Sequence, residues 1–241
     1  MQTRESSRPR LGTNVFFREW KRKLASMKRL SSAIGGPSWE QLQTTESVAA
    51  SNIWYRQAHR LAIDNPRFAE AYSTYRRWRK RLRRHYAYSV PSDEALDYIK
   101  SLGGSILELE SGKAYWAKLL LEKGVDIVPT DLRHAEQNPW VDGQAFTEVI
   151  QFQVGVDELF ERFSPTIVMV QWPNERMSYV RDLLCKREHS VEVILVGEQC
   201  SIDKGTRELH KTLVENSWRL KKKIALPRFL PIHDSLRHYV R

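Results

Sequence analysis

The chain has 241 residues, 41% of them hydrophobic and eight of them Trp, a composition that excludes an intrinsically disordered polypeptide. No apolar run approaches the roughly 20 residues of a membrane span, and no apolar stretch follows the first basic residues as in a secretory leader, so a soluble chain with no membrane partner is expected. The net charge of +10 is unevenly held: residues 1–90 carry 19 Lys and Arg against 6 Asp and Glu, a surplus of 13, whereas residues 91–241 carry 20 against 23, a deficit of 3.

Residues 1–14 are rich in Arg and Ser, with Pro9 and Gly12 set against regular structure, and read as an arm. From 15 to 30, Phe16, Trp20, Leu24 and Met27 recur at helical spacing, while Arg18, Lys21, Arg22, Lys23, Lys28 and Arg29 take the other faces. A linker is expected over 31–36, then helices over 39–64 and 66–86. The last of these holds an apolar stripe of Tyr75, Trp78, Leu82 and Tyr86. Around it stand Arg76, Arg77, Arg79, Lys80, Arg81, Arg83 and Arg84, seven cations within nine residues, which repel one another unless something anionic lies nearby.

After Pro91 strands and helices alternate. Strands are expected at 105–109, 125–130, 146–152, 166–171, 191–196, 222–226 and 236–240, and helices at 114–123, 156–163, 176–186 and 206–218. This rhythm makes a mostly parallel sheet with helices on both faces. About nine residues join the last two strands, too few for a helical crossover, so that pair should be an antiparallel hairpin. The expected organisation is a basic arm and amphipathic helix (1–36), a helical N-terminal region (37–90) and an α/β domain (91–241). Cys185 and Cys200 read as free thiols of a reducing compartment.

The segment Ile106-Leu-Glu-Leu-Glu-Ser-Gly-Lys-Ala-Tyr-Trp-Ala-Lys-Leu-Leu120, with Asp131 ending the next strand, resembles the first two motifs of the class I S-adenosylmethionine-dependent methyltransferases. Further on, Ile167-Val-Met-Val-Gln-Trp-Pro-Asn174, Val193-Ile-Leu-Val-Gly-Glu198 and the Pro…His-Asp-Ser segment ending at Ser235 resemble a branch with Trp-Pro-Pro and Val-Gly-Glu steps. The resemblance covers about 150 of the 241 residues. It implies a Rossmann-like fold, a seven-stranded sheet ending in an antiparallel hairpin, and a cofactor cleft lined by Glu108, Glu110, Gly112, Ala114 and Asp131. It also implies that Gln171, Trp172, Pro173 and Asn174 stand where relatives present the methyl acceptor, although the second Pro of that step is Asn174 here.

The family places glycines in the loop after the first strand, because the backbone there passes against the cofactor and takes dihedrals closed to other residues. In this chain the three glycine positions read Glu110, Gly112 and Ala114. Ala114 is a mild change, whereas Glu110 sets a carboxyl group where the cofactor's methionine moiety, with its own carboxylate, should lie. Like charges in a partly buried cleft cost a few kcal/mol, and about 4 kcal/mol is roughly a thousandfold in affinity.

Other chemistries fall away. His233-Asp234-Ser235 are adjacent on an extended segment and point apart, so they cannot form a nucleophilic relay. The seven His and two Cys show no metal-ligand spacing, and no phosphate-binding Gly-x4-Gly-Lys-Ser/Thr occurs. Three functions remain open. The first is a methyltransferase-like protein without catalysis and without cofactor, serving as an RNA-associated structural or assembly subunit of a ribonucleoprotein such as the mitochondrial ribosome. In it Arg18, Lys21, Arg22, Lys23 and the seven cations of 76–84 meet phosphate, and protein partners surround it. The second is an active S-adenosylmethionine-dependent enzyme acting on RNA or protein. The third is a protein-binding scaffold without RNA contact. The Arg- and Ser-rich start has the composition of a mitochondrial targeting segment, with a cytoplasmic location as the alternative.

Overall fold

The computed structural model describes residues 14–33, 60–152, 156–173, 179–181, 184, 191–198, 204–227, 229 and 232–241. Seven strands form one sheet: β1 (Ser105–Leu109), β2 (Asp126–Asp131), β3 (Ile150–Gln151), β4 (Ile167–Gln171), β5 (Glu192–Glu198), β6 (Arg219–Ala225) and β7 (Asp234–Val240). Their order is β3-β2-β1-β4-β5-β7-β6. The first five run parallel, and β7 is antiparallel to both β5 and β6, so the expected hairpin at the end of a parallel sheet is present.

The sheet owes its central position to strands that are apolar on both sides, and alternation decides which helix layer each residue meets. Ile106, Ile167, Met169, Ile194 and Val196 face one layer. Leu107, Val168, Val170, Val193 and Leu195 face the other. The first layer holds α1 (Val15–Ala33), α2 (Pro66–His85), α3 (Asp93–Leu102) and α4 (Tyr115–Glu122). The second holds α5 (Val156–Phe163) and α6 (Lys204–Glu215). At the sheet edge, β6 exposes Arg219, Lys221, Lys222 and Lys223, charges that discourage pairing with another chain.

The two basic helices pack on the first layer through their apolar stripes. On α1, Phe16 and Trp20 are buried, and Phe16 stacks on Tyr86 at 5.0 Å between ring centroids. Asn14 caps this helix through Phe17 N–H at 3.0 Å and reaches Pro91 O at 2.6 Å. On α2, Asn65 caps Phe68 N–H and Pro66 takes the first turn, where its missing N–H costs nothing. Tyr75, Leu82 and Tyr86 of the expected stripe are buried, and half-buried Trp78 meets Phe229 edge-on at 5.7 Å.

Two expectations need correction. The strand expected over 146–152 shrinks to Ile150–Gln151, because Phe146 N–H donates to Lys113 O and its ring joins Tyr86 and Tyr115 instead. The helix α1 runs to Ala33, through the start of the expected linker. Of the helix expected over 39–64, residues 60–64 are described and helical; of that over 176–186, residues 179–181 and 184 are. The rest of both, with Cys185 and Cys200, lies outside the described residues.

Candidate functional site

Beyond the C-terminal end of β1 the chain takes three left-handed turns at alternate residues: Glu110 at φ 57°, Gly112 at 58° and Ala114 at 54°. These are the three positions at which the resembled family carries glycine. Two of the three are not glycine here, and holding a side chain in this conformation costs about 1 kcal/mol for each. The loop is pinned to β2 twice. Ser111 N–H donates to Thr130 O at 3.0 Å, and Gly112 N–H donates to Asp131 Oδ2 at 2.9 Å. The other Asp131 oxygen accepts Arg133 N–H at 2.9 Å.

Three acids surround this loop. Glu108 is fully buried and accepts from the Gln171 side chain across β1 and β4. Burial pushes its carboxyl up to about 8, with Gln171 opposing and Asp131 adding a smaller push. Glu110 accepts the Tyr179 hydroxyl. Burial and then the neighbouring Asp131 raise it to about 7, against the pull of Tyr179 and Arg133. Asp131, only 2% exposed, is raised by burial and partly drawn back by the Arg133 and Gly112 N–H groups. Burial thus weakens the fixed negative charge expected of Glu110 from sequence, while its side chain still fills the space beside the loop.

A segment with no regular structure, residues 138–146, closes over the same loop. Val141 lies 3.5 Å from where a Gly112 Cβ would stand. Lys113, buried, donates to Asp142 O at 2.7 Å and sits 4.7 Å from the Phe146 ring centroid. These residues do not fit S-adenosylmethionine as the resembled family holds it. The acid after β2, which should meet ribose hydroxyls, is buried and spends both oxygens on backbone N–H groups. Two of the three glycine positions carry side chains, one of them a carboxyl group.

The acceptor step after β4 is similarly engaged. Gln171 is bound to Glu108, and Trp172, at φ 45°, donates its indole N–H to Ser89 Oγ at 2.7 Å. Pro173 is buried, and Asn174 lies outside the described residues. Arg83 reaches in from α2 with its guanidinium carbon 4.2 Å from the Tyr88 ring centroid and 4.6 Å from that of Trp172. Burial lowers its pKa, opposed first by the charge of Asp234. Asp234 is itself fully buried and raised to about 7 by burial, against the pull of Arg83.

The α2 cations gather at a cleft of about 530 Å³ between that helix and the 138–142 strap. Arg76, Arg77, Arg79, Lys80, Arg83 and Arg84 line it, with Tyr72, Tyr88, Pro139 and Trp140. Arg76, Arg77 and Lys80 are exposed, and Arg79, Arg83 and Arg84 are half-buried. Arg84 pairs with Asp142 at 2.7 Å, and Asp142 N–H donates to Arg84 O at 2.9 Å, so strap and helix end are tied in both directions. Arg81, although exposed, is not among the lining residues, nor are Arg18, Lys21, Arg22 and Lys23, which are exposed on α1. Sequence reasoning missed Trp140, Tyr88, Lys113 and Tyr179. For Trp140 a signal existed, an Asn-Pro step that marks a turn and so sets the aromatic outside any strand or helix. Among the described residues, no cluster of His, Cys, Asp or Glu could hold a metal ion, and no helix is long and apolar enough to cross a membrane.

No family model matches the sequence, and no curated protein matches it. Among solved structures the chain is similar to a ribosomal protein L11 methylase from Lactobacillus delbrueckii subsp. bulgaricus, at 14% identity and a TM-score of 0.41, over 61% of this chain and 74% of that one. It is also similar to a magnesium protoporphyrin IX methyltransferase from Synechocystis PCC 6803 with bound SAH, at 9% identity and a TM-score of 0.41, over 62% and 81%. A precorrin-6y C5,15-methyltransferase from Geobacter metallireducens GS-15 is similar at 9% and 0.43, over 65% and 93%. With five parallel strands and an antiparallel pair at one edge, in the order β3-β2-β1-β4-β5-β7-β6, this chain has a Rossmann-like fold with the seven-stranded sheet that the sequence resemblance implied.

Proposed function

We propose that the protein is a methyltransferase-fold RNA-binding subunit that does not use S-adenosylmethionine. The observation that carries this reading is the Asp131 carboxyl group, buried and bound to Gly112 N–H and Arg133 N–H. For a ribose to reach a carboxyl group only 2% exposed, the residues that cover it would have to move. Glu110 in a left-handed glycine position and the strap over Gly112 support the same conclusion. The RNA half of the reading is supported by the surplus of 13 positive charges in residues 1–90 and by the gathering of six cations at one cleft. A ribonucleoprotein, such as the mitochondrial ribosome or its assembly intermediates, offers the mixed RNA and protein surroundings that such a subunit requires. The Arg- and Ser-rich N-terminus is the support for that location, and uptake of the full chain by isolated mitochondria tests it.

One observation favours a second reading, an active methyltransferase acting on RNA or protein: the loop keeps the three left-handed turns of a cofactor loop. Calorimetric titration with S-adenosylmethionine separates the two. We expect no heat of binding up to millimolar cofactor, alongside retention of RNA that weakens steeply with salt. Micromolar binding lost in Asp131→Ala would overturn the first reading in favour of the second. Failure to retain any RNA at low salt would remove the RNA half.

A further inference from the structure

The basic cleft has two unlike walls. One is the α2 face, with Arg76, Arg77 and Lys80 open to solvent. The other is the strap, where Pro139 and Trp140 stand and where Trp140 is 64% exposed. A Trp this exposed loses the gain from burial, whereas the other large apolar side chains of the strap, Val141 and Phe146, are half-buried. The strap is not free to fold it away. Asp142 is held by Arg84, Lys113 grips Asp142 O, and Tyr88 O–H donates to Trp140 O at 3.4 Å. The indole is thus presented beside a row of cations on a backbone fixed at both sides.

We infer that this cleft is a site for an unpaired nucleotide of single-stranded RNA, whose base stacks on Trp140 while its phosphates lie along Arg76, Arg77 and Lys80. The inference rests on the RNA reading above and narrows it. A cleft of about 530 Å³ lies within the range of small-ligand sites, roughly 300 to 1,000 Å³. Duplex RNA keeps its bases stacked inside and offers a concave cleft only phosphate and sugar, so it cannot use the indole. Unpaired bases can, whatever their sequence, because every base has a π-face. The guanidinium of Arg83 deepens the floor of the cleft but is already stacked on Tyr88 and Trp172, leaving Trp140 as the aromatic open to a base.

The strap also links this site to the cofactor loop. Pro139 and Trp140 wall the cleft, and the residues that follow them lie against the loop, Val141 beside Gly112 and Asp142 O bound by Lys113. A strap moved aside to admit a cofactor would dismantle the nucleotide cleft.

The test is fluorescence anisotropy of the full chain with a labelled mixed-sequence 12-nucleotide RNA and with a duplex of the same length. The single strand should bind about tenfold or more tightly than the duplex. Trp140→Ala should weaken single-strand binding by about tenfold, with duplex binding and the salt slope unchanged and Trp140→Phe restoring most of the loss. Neutralising Arg76, Arg77 and Lys80 to Gln should weaken both ligands and lower the single-strand salt slope by about 2, at about 0.7 per phosphate contact. Since these side chains are exposed, loss of folding does not confound the result. If RNA binds but Trp140→Ala has no effect, or the duplex binds as well as the strand, the nucleotide site is refuted while the RNA reading stands. If neither RNA is retained, or a polyglutamate of equal charge displaces the strand, both readings fall.

Discussion

Asp131 Oδ2 accepts the backbone N–H of Gly112 at 2.9 Å, joining the end of β2 to the loop that leaves β1. The two residues are 19 positions apart, and in the resembled family both serve the cofactor. Here they serve each other. Charge-assisted hydrogen bonds of this kind are among the stronger ones, and a buried donor left without its acceptor costs more than the bond contributes when made.

Asp131→Asn should therefore destabilise the fold. The amide can present its oxygen to one N–H but must turn its NH2 toward the other, leaving Gly112 N–H or Arg133 N–H facing a donor. A loss of about 1–3 kcal/mol is expected, read as a lower urea midpoint with unchanged slope. If Asp131 instead waited for a ribose, the variant would lose ligand binding and keep its stability.

Buried acids set the pH dependence. Glu108, Glu110 and Asp234 are raised to about 8, 7 and 7, chiefly by burial. The folded chain then holds protons that the unfolded chain has released above about pH 4.5, so each group stabilises fully at low pH and loses that contribution as pH rises through its folded value. His85, His210 and His238, lowered by burial, act the opposite way wherever the unfolded imidazoles still bind protons, that is up to about pH 7.5. Between about pH 7.5 and 8.5 the acids dominate, Glu108 foremost, and stability should decline by up to about 1.4 kcal/mol per pH unit for each proton involved. Urea midpoints across that window check this, and Glu108→Gln should flatten the decline.

Much of this was legible in residues whose role is set by neighbours in sequence. The apolar runs of β1, β4 and β5 alternate between two helix layers as strands must, and the short link between β6 and β7 forces their antiparallel pairing. Positions 110, 112 and 114 were identifiable as the glycine register, but that Glu110 and Ala114 also take a left-handed backbone is visible only in the structure. The strap was not legible, since residues 138–146 carry no periodicity and their role comes from long-range partners such as Arg84 and Lys113. For the same reason Arg83 could not be told from its neighbours on α2: one turn of helix separates a solvent-facing cation from one facing Trp172.

Arg83 should accordingly behave unlike the rest of the basic run. Its guanidinium lies between Tyr88 and Trp172 and is attracted by buried Asp234. Arg83→Ala removes the stronger of two cationic attractions on Asp234, Arg237 supplying the other, together with the stacking on Tyr88 and Trp172, and should cost about 1–3 kcal/mol. The cost should be greatest at pH 8, where Asp234 is charged, and smaller at pH 6, where it holds its proton. Arg76→Ala, on the exposed side of the helix, should change stability by less than about 0.5 kcal/mol. Thermal unfolding of both variants at the two pH values decides the matter. Equal effects would mean that Arg83 is a surface cation like the others.

The strap can be loosened without touching a charge. Phe146 is half-buried, stacked on Tyr86 at 5.8 Å and edge-on to Tyr115 at 4.9 Å, and its N–H binds Lys113 O at 2.8 Å. Phe146→Ala removes the aromatic anchor while leaving every hydrogen-bonding group in place, at about 2 kcal/mol for a ring of this partial burial. Hydrogen exchange should then quicken at the amides of Gly112, Asp142 and Phe146, which bind Asp131, Arg84 and Lys113, and stay slow in β4 and β5. Single-stranded RNA should also bind more weakly with an unchanged salt slope, because a wall has moved and no cation has been lost. Faster exchange spread evenly over the sheet would mean that Phe146 supports the whole core, and the strap would lose its standing as a separate element.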